Sequence, residues 1–190
     1  MNLSGDTKKK LLDTAENLLL DRGYNGFSYR HVSTALGIKN ASVHHHYPRK
    51  TDLGVAIINR ARQRFEKWTQ SREDQENTFS ERLDEFFSIY EHFLNTKGQI
   101  CLGGALSTDF KTLPLEMQME TRSFIMDMLG WLTSLLQEGR SRGEFKFPGD
   151  PDKQAIVIMS SLQGALQMAR VTDPSCFKAA VQHIKHLMCP

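Results

Sequence analysis

Ser28-Tyr29-Arg30-His31-Val32-Ser33-Thr34-Ala35-Leu36-Gly37-Ile38-Lys39-Asn40-Ala41-Ser42-Val43-His44-His45-His46-Tyr47-Pro48 is the stretch whose reading decides the fold. Ser28 suits the N-cap of a two-turn helix over Tyr29 to Leu36, because a serine hydroxyl accepts from an amide that the first turn leaves unpaired. Gly37 ends that helix, since glycine enters the left-handed region without steric cost. A second short helix, Asn40 to Tyr47, follows, and Pro48 stops it. Two short helices joined by a tight glycine turn have the geometry of a helix-turn-helix, whose second helix enters a major groove. Val32, Ala35, Ile38 and Val43 are expected to form its small core. Asn40, Ala41, Ser42, His44 and His45 then face outward, and they are short or polar enough to approach base edges and phosphates.

Outward from this stretch the chain reads as helix almost throughout. Leu11, Leu12, Ala15, Leu18 and Leu19 give residues 7–22 an apolar stripe, with Gly23 as the stop. Residues 50–70 form a longer helix, with Leu53, Ile57, Ala61 and Trp68 down one side, and 71–77 form a polar loop. Further helices are expected over 79–94, 101–110, 114–142 and 151–172, and a last one ends near Met188. Lys97-Gly98, Gly143, Asp150-Pro151 and Asp173-Pro174 punctuate them. No strand, repeat or low-complexity tract stands out. The expected fold is therefore all-α, about nine helices: a three-helix DNA-binding head over residues 1–50 and a ligand-binding and dimerisation body over 51–190. The helix from Lys50 joins them with no flexible linker.

Charge divides the same way. Of 24 Lys/Arg and 22 Asp/Glu in 190 residues, the first fifty residues hold eight and four, a net of +4, and the remainder is −2. Four of the seven histidines also fall in the head. A basic head on a slightly acidic body points to a polyanion as the head's partner. The three cysteines, Cys101, Cys176 and Cys189, are too few and too scattered for a disulfide framework or a zinc ribbon. No apolar run approaches the ~20 residues that span a bilayer. The basic N-terminus lacks the apolar core of a signal peptide. A cytoplasmic location with no membrane partner is expected.

Phe27 to Ile38, followed by Ala41-Ser42-Val43-His44-His45-His46-Tyr47-Pro48-Arg49-Lys50-Thr51-Asp52-Leu53, resembles the DNA-binding signature of the TetR family of regulators. The resemblance implies a homodimer that binds double-stranded operator DNA and leaves it when a small-molecule inducer binds. By position it makes Asn40, Ser42, His44 and His45 groove-facing, and Arg30, His46 and Lys50 phosphate contacts. Three residues depart from the family's habit. Lys39 stands where a capping Ser or Thr is frequent, and Arg49 where Ser is frequent at the next helix start. His44-His45 occupy positions where two aromatic residues, often tyrosines, are common. Imidazole titrates near neutrality, so operator binding is expected to weaken from pH 6 to pH 8. Consecutive helix residues point about 100° apart, so the three histidines do not close on one metal ion, and no metal or cofactor is expected.

In the body, Phe86, Phe87, Tyr90, Phe93, Phe124, Met128, Trp131, Met159 and Met168 are core or cavity wall. Tyr90, Phe93, Met128, Trp131 and Met168, with Cys101, are the residues expected to line a site for a hydrophobic or electrophilic inducer. Gly98-Gln99-Ile100-Cys101-Leu102-Gly103-Gly104 resembles the Gly-Cys-Leu-x-Gly segment of one TetR subgroup. Cys101 is open to two readings, a reactive thiol at a helix start or a small buried apolar side chain. Ser160-Ser161-Leu162-Gln163-Gly164-Ala165-Leu166 puts small residues beside leucines, as a close helix-helix dimer face requires. An architectural DNA binder without a ligand would use the same head and shows little preference for sequence. An enzyme is not expected, because no general base, phosphate loop or HExxH pattern accompanies Cys101.

Overall fold

The computed structural model describes residues 3–73, 77–96 and 100–188. Among them stand nine α-helices, one 3-10 turn and no strand. The helices are α1 (Leu3–Arg22), α2 (Tyr29–Leu36), α3 (Asn40–His46), α4 (Lys50–Glu73), α5 (Phe79–Asn95), α6 (Leu102–Asp109), α7 (Leu115–Ser141), α8 (Pro151–Val171) and α9 (Ser175–Met188), and the 3-10 turn is Phe110–Thr112. The all-α expectation holds, element by element. Two boundaries moved by more than one residue. Helix α1 begins four residues earlier than its apolar stripe, and α4 continues through residues expected to be loop. Both additions are polar turns, where periodicity gives no signal. The break expected at Lys97-Gly98 lies outside the described residues, as does Cys189.

Compactness divides the chain into two units. One holds the chain up to Arg64 together with Leu102–Phe124, and the other holds Phe65–Cys101 together with the chain from Ile125 onward. In the first, α2 packs on α1 and α3. Leu11, Ala15 and Leu19 of α1, Val32 of α2, Val43 of α3, and Leu53, Ile57 and Ile58 of α4 are fully buried. Met117, Leu113 and Leu106 are also buried there. Two expected core residues are not: Ala35 is exposed and Ile38 half-buried.

Ion pairs fasten α1 to α4 in this unit. The carboxylate of Glu16, nearly buried, takes Arg60 and Arg64 together, and Arg60 also pairs with Asp13. The start of α4 is capped from within. Asp52 accepts from the Arg49 amide at 2.9 Å and from its guanidinium at 2.6 Å. Asp52 thus supplies the reciprocal half of a capping box, satisfying the Arg49 amide, while Arg49 offers the first turn no side-chain acceptor.

In the second unit, α8 packs on α9 and α5. Helix α5 opens with a reciprocal cap, the Glu81 amide donating to Thr78 Oγ1 at 3.1 Å and the Thr78 amide to Glu81 Oε2 at 2.8 Å. Phe86, Tyr90, Leu132, Leu136, Ile158, Leu162 and Phe177 supply its interior. Phe145 and Phe147, on the connection between α7 and α8, are buried with them.

Candidate nucleic-acid interface and effector site

The helix-turn-helix is built from few contacts. Gly37 takes φ +64° and closes α2, donating to the Ser33 and Thr34 carbonyls. The Ser28 amide donates to Nδ1 of His31 at 3.1 Å, so a histidine serves where Glu or Gln is usual. Tyr29 Oη donates to the Tyr47 carbonyl at 2.7 Å, joining the start of α2 to the end of α3. Burial pushes the Tyr29 phenol far up, which keeps that donor proton in place at any physiological pH.

Val43 is the buried residue of α3. The rest of the helix turns away from the core: Asn40, Ala41, His44 and His45 are exposed, and Ser42 and His46 half-buried. The His44 ring lies edge-on to Tyr29 at 4.7 Å, with Nδ1 3.4 Å from the Pro48 carbonyl. The His45 and His46 rings meet at 5.4 Å. Lys39 precedes α3 and makes no side-chain cap. Arg30 is exposed on α2. Lys8 on α1, which the sequence reading passed over, sits 5.8 Å from the Tyr47 ring, beside the end of α3.

Lys50 has an internal occupation that its sequence position did not reveal. Its ammonium donates to the Tyr24 carbonyl at 2.6 Å and lies 4.2 Å and 4.5 Å from the Tyr24 and Phe27 rings. Burial lowers its pKa, and the charge of Asp109 pulls it back up.

In the second unit, five aromatic side chains meet. Trp131 lies 5.0 Å from Trp68, 5.3 Å from Phe86 and 5.9 Å from Phe65, and Phe86 lies 5.5 Å from Tyr90. Tyr90 is 1% exposed, its hydroxyl has no hydrogen-bond partner among the described residues, and burial pushes its pKa well up. Cys101 is 6% exposed and its thiol donates to Gln163 Oε1 at 3.1 Å. Met128 is also buried. A solvent-open cleft of about 470 Å³ lies beside the cluster, lined by Trp68, Arg72, Glu85, Ile89, His92 and Phe93. Of the expected effector residues, Tyr90, Phe93, Cys101, Met128 and Trp131 thus share this unit's interior or its cleft. Met168 does not join them: it is 58% exposed on α8. Arg72 and Glu85, paired across the cleft at 2.5 Å, escaped the sequence reading because they stand on different helices.

Met168 belongs to a different feature. Val157, Ser160, Gly164, Met168 and Val171 recur at three- and four-residue steps along α8, and all are exposed. A Cβ added to Gly164 would meet nothing within 4 Å. Among the described residues, no group of three His, Cys, Asp or Glu side chains is placed to hold a metal ion, and no helix is long and apolar enough to cross a membrane.

Comparison with known proteins places this geometry in a family. The family model described as bacterial regulatory proteins, tetR family, matches residues 11–57. A second, tetracyclin repressor-like, C-terminal domain, matches residues 80–184. The chain is 26% identical over 192 residues to the HTH-type transcriptional repressor NemR of Escherichia coli K12, covering 96% of this chain and 94% of that protein. Among solved structures, a TetR-family transcriptional regulator from Agrobacterium tumefaciens superposes with a TM-score of 0.92 at 26% identity, covering 98% of this chain and all of the other. A TetR regulator from Legionella pneumophila superposes at 0.85 and 30% identity, with 98% of each chain covered.

Proposed function

The chain belongs to the TetR family of bacterial regulatory proteins, and from that premise we propose that it is a transcriptional repressor, a homodimer released from a near-palindromic operator by a small molecule. The observation that carries this reading is α3. It is held by one buried side chain, Val43, and turns Asn40, Ala41, His44 and His45 to solvent. A helix so sparsely anchored and so polar outside is shaped for a groove. Asn40, Ser42, His44 and His45 read base edges, and Asn40 is suited to a bidentate contact with adenine. Arg30 and His46 take phosphates. Lys8 adds a positive charge beside the end of α3. Lys50 enters as a positioning residue, because its ammonium is already engaged on the Tyr24 carbonyl and two rings.

The effector site is assigned to the second unit. Tyr90 and Trp131 belong to the aromatic cluster, Phe93 lines the neighbouring cleft, Cys101 and Met128 are buried in the same unit, and the cleft has room for a small hydrophobic or electrophilic molecule. The aromatic side of that cleft, Trp68 and Phe93, suits such ligands. Met168 is moved to the dimer face. The regulator works in the cytoplasm, where its DNA lies. NemR, the relative matched over nearly its whole length, is named a repressor, which supports that sign over activation.

The test is selection from a random duplex library with the purified full-length chain. A two-fold consensus with half-sites about one helical turn, ~10 bp, apart is expected. Recovery of unrelated sequences with no consensus, or no retention of duplex even at low salt, overturns the reading.

A further inference from the structure

We infer that operator recognition depends on Asp109 and Thr112, two residues far from the head in sequence that hold the α1–α2 turn in register; the inference rests on the DNA-binding role proposed above. The turn is Gly23-Tyr24-Asn25-Gly26, and three of its groups are held from outside it. The Asn25 amide donates to Asp109 Oδ2 at 3.3 Å, and Asn25 Nδ2 donates to Thr112 Oγ1 at 2.7 Å. Thr112 Oγ1 in turn donates to the Asp109 carbonyl at 2.8 Å, so the hydroxyl uses both its proton and a lone pair. From the other side Lys50, the first residue of α4, donates to the Tyr24 carbonyl. The charge of Asp109 is felt at Lys50 and favours its ammonium form.

Gly23 makes the approach possible. Its φ is +75°, and a Cβ there would stand 2.8 Å from Asp109 Oδ2. The carboxylate therefore occupies the space that any side chain would fill. Glycine is required twice over, for its backbone angle and for the contact. The turn connects α1 to α2, so its geometry sets the angle at which α2, and α3 packed on it, are presented. Asp109 is the last residue of α6 and Thr112 ends the 3-10 turn. The latch is thus carried by an element outside the residues 11–57 that the helix-turn-helix family profile covers.

Loss of the latch leaves the helix-turn-helix folded but lets the turn sample other settings. Apparent affinity for a specific site then falls by the fraction of time spent in the competent one. Non-specific binding, which follows net charge, does not.

The experiment compares the wild type with Thr112→Val and Asn25→Ala. Both positions are exposed, so neither substitution opens the core. The probes are the duplex that the wild type selects from a random library and a scrambled duplex of equal length. The expected result is a loss of about five-fold in affinity for the selected duplex with each variant. Affinity for the scrambled duplex and its salt slope should be unchanged, and Thr112→Ser, which keeps the hydroxyl, should restore wild-type binding. Equal or tighter binding of the selected duplex by both variants overturns the latch. So does a parallel loss on both duplexes, or failure of serine to rescue. A wild type that selects no duplex overturns the DNA-binding role itself, a separate outcome.

Discussion

Asn40 and Arg49 show how differently two polar surface residues can serve one head. Asn40 is exposed on the first turn of α3, the helix proposed above to enter the groove. A side-chain amide paired to an adenine edge is worth about 1–3 kcal/mol of discrimination. Asn40→Ala is therefore expected to lower affinity for the selected duplex by about 5- to 150-fold while leaving scrambled DNA bound as before, read by competition in a shift assay. Equal losses on both duplexes would make Asn40 a scaffold residue. Arg49 instead turns inward along the chain, to Asp52 and Glu116. Its guanidinium and amide hold the Asp52 carboxyl below its ordinary value of 3.8. A group with a depressed folded pKa contributes stability that is present above the unfolded value and is lost as pH falls through the folded one. Asp52 thus adds to the steepness of acid unfolding below pH 3.8. Asp52→Asn should flatten that limb, followed by helical circular dichroism, and leave the curve's shape near neutrality unchanged. An acid limb identical in both proteins would show that this cap carries no linkage.

The two helices of the helix-turn-helix are short, so each depends on one or two residues. Gly37, at φ +64°, has nothing within 4 Å of a would-be Cβ. Gly37→Ala therefore meets no clash, only the left-handed backbone penalty of roughly 1–2 kcal/mol. Val43 is fully buried, and cutting it to Ala removes two methyl groups at about 0.8 kcal/mol each plus the cavity left behind. Thermal unfolding should rank Val43→Ala at or below Gly37→Ala, and Gly37→Asn above Gly37→Ala, since asparagine tolerates the left-handed region better. A Gly37→Asn less stable than Gly37→Ala contradicts the argument. These features were legible beforehand because they are local: a cap, a turn glycine, a proline stop and a 3.6-residue stripe lie within a few positions of one another. What was not legible depends on contacts distant in sequence. Lys50 reads only as a phosphate contact, and its packing against Tyr24 and Phe27 becomes visible only in the fold. Asp109 and Thr112 read as an unremarkable helix end until Asn25 reaches them. Met168 reads as cavity wall because methionine suits cavities and interfaces alike, and only its exposure takes it off the cavity.

At the scale of the molecule, the exposed stripe of α8 carries the argument for pairing. Val157, Met168 and Val171 are 55%, 58% and 83% exposed, and Ser160 and Gly164 between them are small enough to let a second helix approach. A row of apolar side chains at a 3.5-residue repeat, with open space over its glycine, matches a self-complementary seam across a two-fold axis. A dimer doubles every DNA contact, and a second half-site bound intramolecularly raises overall affinity by 10²–10⁴-fold. Met168→Glu places two carboxylates across such a seam, where burying unpaired like charges is costly. The variant should elute at the mass of one chain, 21.7 kDa, and the wild type at twice that, by light scattering at low micromolar concentration. Its affinity for the palindromic duplex should fall at least about 100-fold, while its helical content stays that of the wild type. Met168→Leu, equally apolar, should remain dimeric and bind normally. A Met168→Glu protein that stays a dimer places the seam elsewhere. One that turns monomeric yet binds the full palindrome as tightly as before removes the link between pairing and recognition.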